Sequence, residues 1–423
     1  MKHITSILTS LRLTIILLAL STALVFFGTL AQANFGLYDA QVKFFKSAFV
    51  SWNDLIPMLA SILGDVLVGV FKLEPTFKAS FSNAFVLGIN IPIFPGGYLL
   101  GWLLVINLVA AQAKRTELTK KKAGLIMIHV GIVLMLVGQL ATDKLSTESQ
   151  MQLFEGDTKN FSEDFRANEL AIIDTSDPKE DQVVAVPESI LATRKDISNP
   201  ALPFSIRVKE YWANADLLRS AFSNAVPANA TEGFLKNAFV LSKPTAKVMD
   251  SRSLPAALIE LTDKAGKSLG SWLVAAGIRS DDVAKVDGKD YRLSLRFTRH
   301  YKDFELSLLK ATHEKYRGTD IPKNFASRVR VKMNSSPEVR ETIIYMNNPL
   351  RWAGYTFFQY QMAADELALR QMNMDRASST FQVVKNPSWV TPYIACVLVG
   401  VGLCWQFGFH LFGFLRRRKP SVA

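Results

Sequence analysis

Residues 120–141 read KKKAGLIMIHVGIVLMLVGQLA. Three lysines give way to an apolar run interrupted by one imidazole, His129. A helix needs about 20 apolar residues to cross a bilayer, and this stretch supplies them. An ionisable side chain inside hydrocarbon is costly, so its default reading is functional. Imidazole is the commonest neutral metal ligand and the usual axial ligand of haem iron. At about 100° per residue, Gly124, Gly131 and Gly138 fall on one stripe suited to close helix packing. His129 lies almost opposite, on a face with Leu125, Val133, Leu136 and Leu140, and with Lys122 at its edge. Two uses of the imidazole follow: a packing hydrogen bond to a neighbouring helix, or ligation of a porphyrin iron with Leu125, Val133 and Leu136 covering the ring. Zinc wants three or four clustered ligands, and a proton relay would want an intramembrane carboxylate. His129 sits about 9 Å into the helix, in the half next to the lysines.

Working outward, three more stretches have spanning length: Leu13–Leu30, Tyr98–Ala113 and Val390–Phe414. Lysine and arginine gather on the cytoplasmic side of membrane proteins. Lys2 and Arg12 precede the first stretch. Lys114, Arg115 and Lys120–Lys122 lie between the second and third, and Arg416–Lys419 follow the fourth. Four spans with both termini inside put all three clusters on one side. Leu55–Phe71 is a fifth apolar stretch, broken by Asp65. As a fifth crossing it would move the lysine-rich loop outside. The expectation is therefore an amphipathic helix over 39–71 lying at the outer surface, with Phe44, Phe45, Phe49, Leu55, Leu59, Ile62 and Leu63 facing the lipid; a re-entrant hairpin is the alternative. Ala31-Gln32-Ala33 also suits signal peptidase, and the downstream topology is the same with or without cleavage.

Composition narrows the function classes. The chain has 423 residues, 49% of them apolar, with a net charge of +12. Mean hydropathy is only +0.15, so the apolar residues are segregated into spans. Because the basic excess sits beside those spans, it reads as topology rather than as a nucleic-acid surface. The two cysteines, Cys396 and Cys404, are about 12 Å apart on a helix, too far for a disulfide. No CxxCH, Walker A, dinucleotide, GxSxG or HExxH motif is present.

Between the third and last spans the apolar period changes to two. Alternation marks strands at 205–212, 257–262, 291–301, 328–333, 342–346 and 380–384. Asp287-Gly288 and Tyr316-Arg317-Gly318-Thr319 read as turns. Asp216–Thr231 reads as a helical or loose insertion. The expected fold is a membrane protein with four transmembrane α-helices and a large extracytoplasmic β-rich domain. Its parts are 1–31 as the first span, 32–97 as an outer loop with the interfacial helix, 98–141 as a helical hairpin around the basic loop 114–122, 142–388 as the β-rich domain, and 389–423 as the last span with a basic tail.

The order of short motifs resembles ResB-type (ResB-like) cytochrome c biogenesis proteins of system II. The motifs are Leu11-Arg12-Leu13-Thr14, Gly28-Thr29-Leu30-Ala31-Gln32, Pro95-Gly96-Gly97-Tyr98-Leu99-Leu100-Gly101-Trp102 and Asn107-Leu108, followed by His129. In the β-rich region they continue with Tyr316–Thr319, Asn324-Phe325-Ala326-Ser327, Met346-Asn347-Asn348-Pro349-Leu350 and Gly354-Tyr355-Thr356-Phe357-Phe358-Gln359. His129-x-Gly131 is similar to a ResB-like side branch rather than to the core of the family. The resemblance implies a protein of the bacterial inner membrane that binds haem b non-covalently. It would work with a ResC-type partner carrying a tryptophan-rich motif, delivering haem for attachment to the CxxCH thiols of apocytochrome c. The family's intramembrane histidine maps onto His129. The seven tryptophans of this chain are scattered, so the synthase activity is expected of an assembled complex. The rival expectation is a membrane b-haem electron-transfer or scaffold subunit of a respiratory complex.

The other chemistry-bearing residues have plainer readings. His300 and His313 read as ordinary strand histidines, His410 as an interfacial anchor, His3 as solvated. Lys122 could meet a haem propionate, although positive-inside bias already accounts for it.

Overall fold

The computed structural model describes residues 6–74, 76–115, 119–177, 180–221, 224–246, 251–278, 282–319, 321–364 and 375–417. They form two compact units. One contains residues 1–146 and 387–423; the other contains 147–246 and 252–386. The basic residues expected at Lys2, Arg418 and Lys419, and His3, lie outside the described residues.

The first unit is helical. α1 (Leu11–Ala40) is capped by Ser10, whose side chain accepts from the Arg12 amide. It runs on through a π-helical turn, Gln41–Phe45. β1 (Phe49–Ser51) follows, then α2 (Trp52–Phe71), α3 (Thr76–Asn83), β2 (Pro92–Pro95), α4 (Gly97–Arg115) and α5 (Ala123–Leu145). The chain returns to this unit with α6 (Thr391–Arg417). Among the described residues five helices are long and apolar enough to cross a membrane, and the chain is a multi-pass membrane protein. Four of them coincide with the expected spans; the first, Leu11–Ala40, runs well past the expected end at Leu30, and the other three agree within a few residues. The fifth is α2.

Here the expected interfacial helix is corrected. The helix begins at Trp52, not at 39, because residues 41–51 turn out of α1 and enter β1. Phe44 and Leu55 do not face lipid. They are buried in one core with Leu17, Leu24, Met58 and Leu100. β1 pairs antiparallel with β2, Val50 opposite Phe94, so segment 52–91 starts and finishes at the same place. Trp52 Nε1 donates to Phe85 O at 2.9 Å, and Asn53 exchanges two 2.9 Å bonds with the backbone of Leu87. α2 stops at Lys72 in a left-handed conformation, and α3 folds back so that Lys78 meets Asp65 at 2.7 Å. The charge that broke the apolar run is thereby paired inside a helical hairpin.

The glycine stripe performs as its spacing implied. Gly124, Gly131 and Gly138 are the buried residues of α5, and they face α6. A Cβ on Gly124 would stand 2.6 Å from Gly402 O, and one on Gly131 would stand 2.6 Å from a Val399 methyl. Trp405 of α6 donates to the Lys120 carbonyl at 2.9 Å. Cys396 and Cys404 are exposed on α6 as free thiols.

The second unit is β-rich. Its main sheet runs β15 (Val339–Tyr345), β14 (Pro322–Met333), β13 (Lys289–Lys315), β4 (Thr158–Asp174), β3 (Thr147–Phe154), β18 (Ser378–Lys385), β17 (Tyr355–Ala363), β16 (Leu350–Trp352). β5 (Gln182–Pro187) pairs with β4, and β12 (Val283–Val286) pairs with β13. Asp287-Gly288 is the two-residue turn between β12 and β13, both residues at positive φ, as a type I′ hairpin demands. A second sheet, β11 (Ser268–Ala275), β10 (Ala256–Thr262), β6 (Ser205–Trp212), covers the β4/β13 half. Ile206, Ile259, Leu261 and Trp272 from it meet Leu170, Ile172, Leu293 and Leu295 in one core. At the other half the main sheet curls on itself, and β3, β13, β14, β17 and β18 share a core around Phe304, Phe357 and Phe381. All six expected strands are present. The insertion expected at 216–231 is instead part of a small sheet, β7 (Ala215–Leu218), β9 (Phe239–Ser242), β8 (Val226–Pro227), because Leu217 and Val240 join a core with Leu273.

Candidate functional site

The stripe of α5 opposite the glycines carries His129, Val133, Leu136, Leu140 and Asp143, spaced at helical intervals of three and four. α4 lies along it. His129 Nδ1 is 2.8 Å from Gln112 Oε1 of α4. The imidazole therefore has the polar partner that its own helix lacks. With Nδ1–H donating to Gln112, the lone pair is on Nε2, the tautomer a metal ligand needs. The Gln112 amide nitrogen is buried without a hydrogen-bond partner among the described residues, an open donor beside the imidazole. His129 and Val133 are half-buried, while Leu125 is exposed. This donor set, one neutral imidazole of fixed tautomer in apolar surroundings, fits a haem iron. It does not resemble a zinc site, and no cluster of three or more His, Cys, Asp or Glu stands among the described residues.

Leu136 belongs to a second feature on the same stripe. A cavity of about 550 Å³ opens between α1, α4 and α5. Its walls include Trp102, Val105, Leu136 and Leu140, and its rim includes Lys46, Tyr98 and Asp143. His129, Leu125 and Val133 do not line it. The structure thus brings Leu136 to a cavity and His129 to Gln112, two helical turns, or about 10 Å, further along α5. At the rim, Lys46 Nζ is 2.5 Å from Asp143 Oδ1, and the Tyr98 hydroxyl donates to Asp143 Oδ2. That hydrogen bond to Asp143 keeps Lys46 charged, above the ordinary lysine range.

Two motifs of the helical half reach this cavity, through Gln32 and through Gly97, Tyr98, Gly101 and Trp102. Gly97 is close enough to the π-helical turn that a Cβ would stand 2.3 Å from Phe45 O, and a Cβ on Gly28 would stand 2.4 Å from the Phe45 ring. A Cβ on Gly96 would stand 2.4 Å from Ser47 O. Thr14 donates to Asn107 Oδ1 at 2.6 Å, and Asn107 Nδ2 donates to Leu8 O at 2.7 Å, tying the start of α1 to α4. Residue-by-residue reading singled out neither Lys46 nor Asp143. Asp143 carried a signal, as the first acid after a long apolar run; Lys46 carried none, since its partner is 97 residues away.

In the β-rich unit the motifs also converge. Phe325, Met346 and Gln359, from three separate motifs, line a cavity of about 500 Å³ with Tyr360 and Met362. A bulge at Tyr360 breaks the β17–β18 register between Gln359 and Gln361. Gln359 is held by Ser327 at 2.7 Å and Ser379 at 2.8 Å, bridging β14 to β17 and β18. His313 stacks on Phe325 with ring centroids 4.5 Å apart. His300 is 3.5 Å from Asp164, and His410 contacts Gln406 one turn away on α6. Neither lies beside a cavity rim residue named above. Lys302 was not singled out by sequence. It is only 5% exposed, donates to Ser162 at 2.7 Å and stands 4.5 Å over the Tyr355 ring. Burial, with Lys385 nearby, pushes its pKa down to about 8.

Comparison with protein families matches residues 260–378 to the ResB-like family, the stretch from β10 to the first residue of β18. Protein NrfI from Wolinella succinogenes is 28% identical over 103 residues, which is 24% of this chain and 10% of that protein. The chain thus spans a small part of the relative it matches. The match within the β-rich unit agrees with the motif order along the sequence, and residues 260–378 are similar to the ResB-like family.

Proposed function

We propose that this protein serves cytochrome c biogenesis as a haem-handling subunit of the bacterial inner membrane, with His129 as axial ligand. It would act with a ResC-type partner and deliver haem to apocytochrome c on the extracytoplasmic side, where the β-rich unit would lie. The observation that carries the reading is the 2.8 Å bond from His129 to Gln112. It orients the imidazole of α5 and leaves its Nε2 lone pair for a metal. Haem, when bound, supplies the vinyl groups and the iron whose reduced state thioether formation requires. Gln112 fixes the ring, and Val133 with Leu136 excludes water from that face of α5. An apolar shell and an oriented imidazole tune iron potential and retention. Haem-lyase activity would belong to the assembled complex.

The test is co-expression of the chain with a ResC-type partner, reading copurified haem and matured cytochrome c. His129→Ala is expected to lose both, with recovery on adding imidazole. Gln112→Leu keeps the ligand but frees the ring, and is expected to weaken haem retention about 10- to 100-fold. Unchanged haem and cytochrome yields in His129→Ala would overturn the reading. Haem that stays bound and cycles between redox states without the partner would favour an electron-transfer subunit instead.

A further inference from the structure

We propose that the cavity between α1, α4 and α5 is a second station for the same porphyrin, held there by its carboxylates at Lys46 and Lys144 rather than by its iron. The inference rests on the haem-handling reading of His129. The cavity's 550 Å³ is within the range that encloses a drug-sized ligand. Its walls are aromatic and aliphatic, and one indole, Trp102, lines it. Lys46, Tyr98 and Asp143 meet at one rim, with Gln32, Gln41 and Gln139 also in the lining, so a flat apolar body with an acidic edge is the matching shape. At that rim one carboxylate, Asp143, serves two ammonium groups: Lys46 at 2.5 Å and Lys144 at 3.9 Å. The local balance is one positive charge in excess. Each ammonium has three N–H donors, and Asp143 takes one from Lys46, so donors remain for an incoming carboxylate. Lys144 also stands 4.8 Å over the Tyr98 ring, which keeps it at the rim. Among the described residues no histidine, cysteine or methionine lines the cavity, so recognition there is expected to be indifferent to the metal. Asp143 shares the α5 stripe with His129, about 21 Å away along the axis. Ring and carboxylates would therefore meet one continuous surface of α5, the imidazole at one end and the ammonium groups at the other.

The full-length protein in detergent micelles tests this with metal-free protoporphyrin, its dimethyl ester and haemin, read as quenching of Trp102 emission. The Trp102→Phe variant isolates that signal from the other tryptophans. Protoporphyrin is expected to quench, the ester to bind at least about tenfold more weakly, and Lys46→Gln with Lys144→Gln to weaken the free acid by a similar factor. Lys46→Arg is expected to retain binding, which separates charge loss from misfolding. His129→Ala is expected to leave protoporphyrin quenching intact while removing the haemin absorption band of the ligated iron. Equal binding of acid and ester, or indifference to the lysine changes, overturns the proposal. Displacement by oleate at concentrations where porphyrin binds also overturns it, making the cavity a fatty-acid site. Loss of the iron band alone with intact quenching would support both stations. An iron band that survives His129→Ala sinks the ligand reading and leaves the cavity reading standing.

Discussion

His129 and Lys302 show two ways of holding an ionisable side chain away from water. His129 has a neutral form that needs only one hydrogen bond, and Gln112 supplies it. Among the described residues Lys302 has no acid within bonding distance, and it relies on Ser162, a carbonyl and the Tyr355 face. Its pKa of about 8 lies below the 10.5 of an ordinary lysine. Between those values the unfolded chain binds more protons than the folded one, so stability rises with pH across that window. Lys302→Met is therefore expected to stabilise the β-rich unit by about 1–3 kcal/mol below pH 8. The gain should vanish by about pH 10.5 as wild type loses the buried charge. Thermal unfolding of the full chain in detergent, followed by β-sheet circular dichroism from pH 7 to 10.5, checks the sign and the window. The imidazole was legible from sequence because any polar group stands out in hydrocarbon. The lysine was not, because a charged residue in an alternating strand reads as solvent-facing, and only the curl of the sheet buries it.

At the scale of elements, the glycine stripe of α5 was readable because its period of seven falls short of two helical turns by only about 20°, which keeps small residues on one face. Its partner was not readable, since 245 residues lie between the two helices; the structure assigns it to α6 through Gly402, Val399 and Thr391. Gly124→Leu is expected to push α6 away, because a Cβ there already falls 2.6 Å from Gly402 O. The cost should be about 1–3 kcal/mol or more, seen as a lower midpoint when the full chain is titrated with SDS. Gly400→Ala, at a position where a Cβ meets nothing within 4 Å, should leave the midpoint unchanged. The strands of the outer half of the β-rich unit alternate cleanly and were visible. β4 was not, because its ladder with β13 breaks at Phe297/Arg299 and again at Tyr301/Leu306, and each break shifts which face its side chains take.

For the whole molecule, the decisive constraint is the pairing of β1 with β2. It returns the chain to its starting point after α2 and α3, so five long apolar helices are compatible with the side assignment that four crossings give. Single cysteines introduced into a Cys396→Ser/Cys404→Ser background, labelled with an impermeant maleimide in intact cells, check this. Asn90→Cys and Ser146→Cys are expected to label from one side and Lys120→Cys only after permeabilisation. Labelling of Asn90→Cys together with Lys120→Cys would mean that α2 crosses. By itself the sequence determined the long apolar helices, the basic clusters from which an orientation is expected, the strand-rich character of 147–385 and the suspect imidazole. Those follow from hydropathy, charge bias and side-chain period, which act over one helix or one strand. Only the tertiary structure decided that Gln112 orients His129, that Lys46 meets Asp143 and Tyr98 at a cavity rim, and that Phe325, Met346 and Gln359, from separate motifs, line one cavity. Each of those joins residues distant in sequence, and such pairs are specified by how packed surfaces fit rather than by any local pattern.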